Sequence, residues 1–388
     1  MKIMLLDTWR IINSKGGTEK VFCNMANALV DKGYQVLAVA CENKEGLPFF
    51  PLDKRVKFLN VGKYSALTEF FLKIVTAFYI KSSLRRNKRT EYRTFLMKSR
   101  IQPILQEYTP DIIISFTSDG TFLLKNLNFE LACPVITMYH SNAERILEGK
   151  IFWRALERCE CIQTLLERDA SITLNTIQPQ KVVVIPNAVP QYEVISNLKS
   201  KTIVSVGRID RKEKRQHILI EAANLLKNRF PDWKVEIWGE TNVDKKYFKE
   251  LEALILKYDL KNVRFCGTTD NIQSVLKEAS IFAFPSAYEG FPLALTEAMS
   301  MGLPAIGFKN CTAVNELIVN GENGILCDEG VENFAKALEE LIVNEEKRIK
   351  YGNRAKEDMK QYAPETIWSK WDQLIKELVE EYSEKKRS

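Results

Sequence analysis

The run 281–304, IFAFPSAYEGFPLALTEAMSMGLP, decides the fold. It opens on strand-forming residues at 281–285, crosses a short turn, and enters a helical pattern from Pro292 to Met301 that Gly302 stops. Pro292 is read as the first helical residue, where a missing N–H costs nothing. A strand that delivers the chain straight into a helix is half of a βαβ unit, the repeat from which parallel sheets are built.

Outward from this run the alternation continues. Strands are expected at 202–206, 234–238, 263–266 and 304–308 in the same half of the chain, and at 2–7, 36–41, 56–61, 111–116, 134–140 and 181–185 in the first half, with a helix at 18–32. Pro186-Asn187-Ala188-Val189-Pro190 and the polar residues behind it interrupt the pattern. They predict a linker at 188–200 between a Rossmann-like domain at 1–187 and a second at 201–364. The closing stretch 365–388 carries Ile367, Trp368, Trp371, Leu374, Ile375 and Leu378 on one helical face and is expected to pack back on the N-terminal domain. The fold class is therefore α/β: two doubly wound Rossmann-like domains facing a cleft. Ligands in such sheets bind beyond the carboxyl ends of the strands, so the residues just after each strand carry the functional interest.

Composition agrees with two packed cores: 388 residues, 45% hydrophobic and 27% charged. The eight cysteines, at 23, 41, 133, 159, 161, 266, 311 and 327, form no CxxC pair and lie mostly in apolar runs, so neither a disulfide framework nor a zinc site is indicated. Two isolated histidines, His140 and His217, do not make a metal site either. Only four apolar residues precede the first charge after Lys2, too few for a signal-peptide core, and the expected compartment is the cytosol with reduced thiols.

The chemistry-bearing residues cluster at strand ends. In the turn after 281–285, Gly290 lets the backbone approach a ligand, and the amides around Phe291, Pro292 and Leu293 open a helix N-terminus suited to a diphosphate. Glu289 and Glu297 straddle that turn as hydrogen-bond acceptors for hydroxyl groups. Taken alone, Glu297 reads as a solvated helix residue and Glu289 as a helix-entry acid rather than as ligand groups. A second element, Ser205-Val206-Gly207-Arg208-Ile209-Asp210-Arg211-Lys212-Glu213-Lys214-Arg215, follows another strand. There Arg208 can clamp phosphate oxygens, and a lysine, either Lys214 or Lys212, can add a point charge. A solvated basic loop accounts for Arg211, Lys212 and Arg215. His140, at the end of strand 134–140, and Gly16-Gly17, opening the first helix, also stand at carboxyl edges. A structural histidine and a simple tight turn are the plain alternatives, and Glu19 is a weak acceptor-side candidate.

Glu289 through Glu297 resembles the EX7E motif of the retaining GT-B glycosyltransferases, and the chain looks like a member of family GT4. Gly207-Arg208 with Lys214 is similar to that family's phosphate site, and Gly16-Gly17-Thr18-Glu19 and Asn320-Gly321-Glu322-Asn323-Gly324 fall in matching order. The resemblance implies an acceptor-binding N-terminal domain and a donor-binding C-terminal one. It gives Arg208 and Lys214 the donor diphosphate, Glu297 the ribose, and Glu289 and His140 the transferred sugar. The family's lysine follows its arginine by five positions, where this chain has Glu213, so Lys214 is aligned through a one-residue insertion. Trp238-Gly239-Glu240-Thr241-Asn242 stands where relatives carry a more glycine-rich turn.

Residues 81–100 hold Lys81, Arg85, Arg86, Lys88, Arg89, Arg93, Lys98 and Arg100 against Glu91 alone, and the whole chain has a net charge of +6. Before them, 67–80 is apolar but too short to span a bilayer, which needs about 20 residues. The pair reads as an interfacial helix with a basic flank for an anionic membrane surface, or as a core helix followed by a solvated basic one. Nucleic acid is not expected, since no base-reading pattern accompanies the charge.

The function expected from these readings is transfer of a hexose or N-acetylhexosamine from a nucleotide diphosphate sugar, UDP by family habit, with retention and without a metal. The acceptor would be a saccharide carried on polyprenyl diphosphate, with Arg85, Arg86, Lys88 and Arg89 steering its phosphates at the inner face of the cell membrane. No cofactor is implied, the nucleotide sugar being a co-substrate. Two rivals keep the fold: a GT-B-like nucleotide-sugar epimerase, for which no acid/base set can be assembled, and a non-catalytic glycan- or lipid-binding subunit.

Overall fold

The computed structural model describes residues 1–62, 65–78 and 82–387, without the side chains of Ala66, Ser82, Ser83, Leu84 and Arg86. The chain divides into two compact units, Met1–Asn187 with Ile367–Ser388, and Ala188–Thr366.

The first unit is a parallel sheet of β1 (Lys2–Asp7), β2 (Gln35–Ala40), β3 (Lys57–Asn60), β4 (Ile112–Ser115), β5 (Val135–Met138), β6 (Cys161–Thr164) and β7 (Val182–Val184), in the order β3-β2-β1-β4-β5-β6-β7. Ile3, Met4, Leu5 and Leu6 are fully buried, as an unbroken apolar run must be when helices cover both faces. The helix Gly17–Asp31 follows β1 and buries Val21, Phe22, Met25, Ala26 and Leu29. The helix Pro364–Arg387 belongs to this unit: Ile367, Trp371, Leu374, Ile375 and Leu378 are its buried face. Tyr34 donates to Asp372 at 2.5 Å, Lys181 to Glu377 at 2.6 Å, and Tyr382 to the Leu131 carbonyl at 2.8 Å.

The second unit repeats the plan with β8 (Thr202–Val206), β9 (Lys234–Trp238), β10 (Val263–Gly267), β11 (Ile281–Ala283), β12 (Ala305–Phe308) and β13 (Gly324–Cys327), all parallel, in the order β10-β9-β8-β11-β12-β13. Strand β11 is shorter than expected. The Phe284 N–H still reaches the Ile306 carbonyl at 2.9 Å, but Pro285 has no N–H with which to continue the ladder.

Two strands lack a sequence signal. In β6 the polar Gln163 and Thr164 are fully buried, and the Gln163 side-chain NH2 donates to the carbonyls of Thr164 and Ile185 at 2.9 and 2.6 Å. Strand β13 starts on Gly324 because a Cβ there would stand 2.5 Å from the Ala305 carbonyl oxygen of the neighbouring strand.

The segment 188–200 is not a free linker but part of the second unit. Val189 is fully buried with its N–H on the Tyr362 carbonyl at 2.8 Å, and the N–H groups of Ser196 and Asn197 bond to the carbonyls of Met301 and Lys277 at 2.8 and 2.7 Å. Polar composition concealed this, because the backbone rather than the side chains makes most of the attachment.

Candidate active site

In the second unit the strand order reverses between β8 and β11, so the loops 207–215 and 284–292 flank a topological switch point. The first loop is wound around Asp210. Its carboxylate accepts the N–H groups of Lys212 and Glu213 at 2.9 and 2.7 Å, and its carbonyl accepts those of Lys214 and Arg215 at 3.2 and 2.9 Å. Gln216, buried at the start of the helix Gln216–Leu226, donates to the Arg208 carbonyl at 2.9 Å. The two loops are joined where the Ala287 N–H reaches the Glu213 carbonyl at 2.8 Å.

This winding lays the stem of Lys214 across Gly207, within 3.4 Å of where a Cβ would be, and sets its ammonium 4.9 Å from the centre of the Phe284 ring. The Lys214 ammonium ends 2.5 Å from Glu289 Oε1. Both side chains are largely enclosed, 17% and 11% exposed, so the attraction is little screened. Lys212, the other phosphate-lysine candidate, is exposed. Arg208 lies at the rim, 48% exposed, paired with Glu213 and 3.9 Å from Asp210.

Pro292 stands one position earlier than expected: it is the N-cap of the helix Leu293–Ser300, not its first residue. No side chain caps this end, so the first amides, from Leu293 on, form an uncompensated positive pole beside Gly290 and Glu289. Phe291 is buried edge-on against Tyr362, their ring centres 5.6 Å apart, and fixes the turn. Glu297 is only 4% exposed, which rules out a solvated helix position. Burial and the nearby Glu297 carboxylate together push the Tyr192 hydroxyl far above its usual range.

The turn after β9 comes closer to the loop 207–215 than its single glycine suggested. Gly239 adopts φ +152°, and a Cβ there would fall 1.9 Å from the Gly207 carbonyl oxygen. Arg215 also departs from expectation. It is not solvated: Nε and Nη2 donate to the carbonyls of Pro285 and Ser286 at 3.0 and 3.1 Å, and Nη1 pairs with Glu329. Asp210, Gln216 and Arg215 are the builders of the site that sequence reading missed. Asp210 alone left a trace, as an Asx-turn residue before a helix.

In the first unit the switch point lies between β1 and β4. Gly16 is the N-cap of the helix Gly17–Asp31, and the buried Glu19 folds its carboxylate back over Gly16 and accepts from Ser14 at 2.5 Å. His140 follows β5, stacked on Phe116 at 5.0 Å between ring centres, and among the described residues its Nε2 has no hydrogen-bond partner. Burial pushes its imidazolium down to about 4. His217 belongs to packing, its Nδ1 2.8 Å from the Tyr247 hydroxyl. Among the described residues no cluster of three or more His, Cys, Asp or Glu is placed to hold a metal ion.

The basic segment lies on the helix Ser82–Tyr108, beside the helix Ala66–Ala77. Part of its charge is spent locally: Arg85 donates to the Ala77 carbonyl at 3.3 Å, Arg89 to Thr76 at 3.2 Å, Lys88 pairs with Glu91 at 2.7 Å and Arg93 with Glu69 at 2.6 Å. Lys81 and the side chain of Arg86 lie outside the described residues. On the shorter helix Leu67, Phe70, Phe71, Ile74, Val75 and Phe78 are exposed while Leu72 and Thr76 are buried, so the apolar stripe faces outward. Among the described residues no helix is long and apolar enough to cross a membrane.

The model of the Glycosyltransferase Family 4 matches residues 15–191, and that of the Glycosyl transferases group 1 matches 192–358. The chain belongs to the family 4 glycosyltransferases. It is 26% identical to an uncharacterized glycosyltransferase of Haemophilus influenzae, over 94% of this chain and 97% of that one. It is 25% identical to a Campylobacter jejuni enzyme, the GalNAc-alpha-(1->4)-GalNAc-alpha-(1->3)-diNAcBac-PP-undecaprenol alpha-1,4-N-acetyl-D-galactosaminyltransferase, over 94% and 96%. The sucrose-phosphate synthase of Thermosynechococcus elongatus superposes with a TM-score of 0.79 over 97% of this chain and 98% of that one, at 17% identity. The glycosyltransferase thus has the GT-B architecture of two Rossmann-like domains, and the Campylobacter relative is named for transfer to an undecaprenyl-diphosphate-linked glycan.

Proposed function

We propose that this glycosyltransferase moves a hexosyl or N-acetylhexosaminyl group from a nucleotide diphosphate sugar to a saccharide carried on polyprenyl diphosphate, with retention and without a metal ion. The observation that carries the reading is the meeting of Lys214, Glu289 and the uncapped start of the helix Leu293–Ser300 at one switch point. A diphosphate there is held by the Lys214 ammonium and the helix amides, with Arg208 closing from the rim. Glu289 accepts from hydroxyls of the transferred sugar, and the buried Glu297 accepts from the ribose. Uridine is nominated by the family resemblance alone.

The mechanism follows from charge. As the bond between the anomeric carbon and the diphosphate oxygen breaks, negative charge grows on the leaving phosphate, and Lys214, Arg208 and the helix pole stabilise it. These groups do the work of a divalent cation. The acceptor hydroxyl attacks the face the phosphate leaves and passes its proton to the departing phosphate oxygen, giving an α-linkage from an α-linked donor.

The lipid-linked acceptor is supported by the Campylobacter relative, whose name specifies an undecaprenyl diphosphate carrier, and by the outward stripe of the helix Ala66–Ala77. An amphipathic helix with its apolar side in water is poorly placed for a protein in solution and well placed for the boundary of an anionic leaflet. The proposed location is therefore reversible docking on the inner face of the cell membrane.

The deciding experiment is a thermal-shift screen of nucleotide sugars followed by turnover on short-chain prenyl-diphosphate-linked saccharides, with the anomer assigned by NMR. Stabilisation by one nucleotide sugar and transfer with retention support the proposal. Stabilisation by none, or unaltered turnover after Glu297→Ala, overturns it.

A further inference from the structure

Two buried carboxylates of the first unit are committed to holding one short loop. Asp7 ends β1, is 1% exposed, and accepts the Trp9 N–H at 2.5 Å. Glu42, just past β2 and 6% exposed, accepts the N–H groups of both Ile11 and Ile12, the latter at 2.8 Å. Ile11 and Ile12 are themselves fully buried and pin the loop from below. Beside it the hydroxyls of Thr8 and Thr117 meet at 2.7 Å across the point where strand order reverses between β1 and β4.

The loop so fixed exposes Trp9 and, next to it, Arg10. Trp9 is 67% exposed and is the one exposed tryptophan of the six in the chain. A single exposed apolar residue is ordinary. Burying Asp7 to hold its N–H, and Glu42 to hold those of Ile11 and Ile12 further along the same loop, is not, because a buried carboxylate is costly unless it is hydrogen-bonded. Nothing in the packing of the first unit needs an indole in water. A rigid aromatic face at the carboxyl edge of a doubly wound sheet has a natural partner in the C–H face of a pyranose ring, which is apolar and edge-positive against the π cloud.

We propose that Trp9 is the stacking platform for a sugar ring of the acceptor, held in place by Asp7 and Glu42. This rests on the glycosyltransferase reading above and adds a residue of the first unit that selects for a saccharide acceptor. Trp9 touches substrate without taking part in bond making, and Asp7 and Glu42 act through it as positioning residues.

The test uses the full chain and two probes, a methyl glycoside of an N-acetylhexosamine disaccharide and the same disaccharide on farnesyl diphosphate. Titrating the methyl glycoside without donor should quench or blue-shift native tryptophan emission, and Trp9→Phe should abolish that change. In transfer assays Trp9→Ala should raise the acceptor KM about tenfold and leave donor KM and Tm unchanged, while Trp9→Phe should stay within about threefold of native. An acceptor KM unmoved by Trp9→Ala overturns the proposal. So does loss of vesicle binding with an unchanged KM for the methyl glycoside, which would make Trp9 an interfacial anchor. If the native protein transfers nothing, the fluorescence titration still reports sugar binding at Trp9, so the two readings fail separately.

Discussion

The ammonium of Lys214 and the carboxylate of Glu289 lie 2.5 Å apart although 75 residues separate them in the chain. The group read as holding the donor phosphate is therefore neutralised, in the ligand-free protein, by the group read as holding the sugar. A diphosphate entering alone must compete with Glu289 for Lys214. A nucleotide sugar brings hydroxyls that engage the displaced carboxylate.

Glu289→Gln should accordingly bind bare nucleoside diphosphate three- to tenfold more tightly, on the order of 1 kcal/mol, while losing most transfer activity. Lys214→Ala should lower kcat/KM by at least about 100-fold, the scale for removing one group that stabilises developing charge. Calorimetric titration with UDP, alongside steady-state kinetics, checks both. Equal UDP affinity for native and Glu289→Gln protein would count against the competition.

Because Lys214, Arg208 and the helix Leu293–Ser300 supply the positive charge, turnover should survive chelation. Activity after EDTA treatment and desalting is expected within about twofold of the untreated protein, set against the several kcal/mol a catalytic cation supplies where one is used. Loss of activity restored by magnesium or manganese would overturn metal independence.

Flotation with anionic liposomes tests the outward stripe of the helix Ala66–Ala77. Phe70→Ser, Phe71→Ser and Phe78→Ser replace exposed side chains, so folding should be unaffected and flotation reduced. Charge reversal at Arg85, Arg86, Lys88 and Arg89 should reduce it further, by about 1 kcal/mol for each side chain near the surface, and make it less sensitive to salt. Since Arg85 and Arg89 also bond to the neighbouring helix, circular dichroism of that variant is needed for comparison. Unchanged flotation in both sets would remove the docking proposal.

His140 predicts a pH dependence of stability. Burial holds its folded-state value at about 4, whereas an unfolded imidazole titrates near about 6.5. Between those values the unfolded chain binds the proton that the folded chain refuses, so stability falls as pH drops from about 6.5 towards about 4. His140→Phe, which keeps the stack on Phe116, should flatten that part of the curve. Urea midpoints measured from pH 7 to 4.5, a span chosen about the two values, give the comparison. Identical slopes for both proteins would refute this assignment.

The sequence by itself determined most strands and the βαβ alternation, because a strand covered on both faces must be apolar throughout, as Ile3 to Leu6 are. It also nominated Gly207, Lys214, Glu289 and Glu297 as candidates, since a turn that follows a strand and opens a helix is written in local residue types. The strands Cys161–Thr164 and Gly324–Cys327 left no such trace: one is kept by amide bonds to buried Gln163, the other by a close approach only Gly324 permits. Tertiary structure alone decided that 188–200 is bound to the second unit, that Arg215 is a strut between loops, and that the stripe of the helix Ala66–Ala77 faces outward. It alone set Lys214 on Glu289, Asp7 on the Trp9 N–H, and Glu42 on those of Ile11 and Ile12. Periodicity reports which residues share a face, but the partner of a charge and the direction of a face depend on where distant segments are brought together.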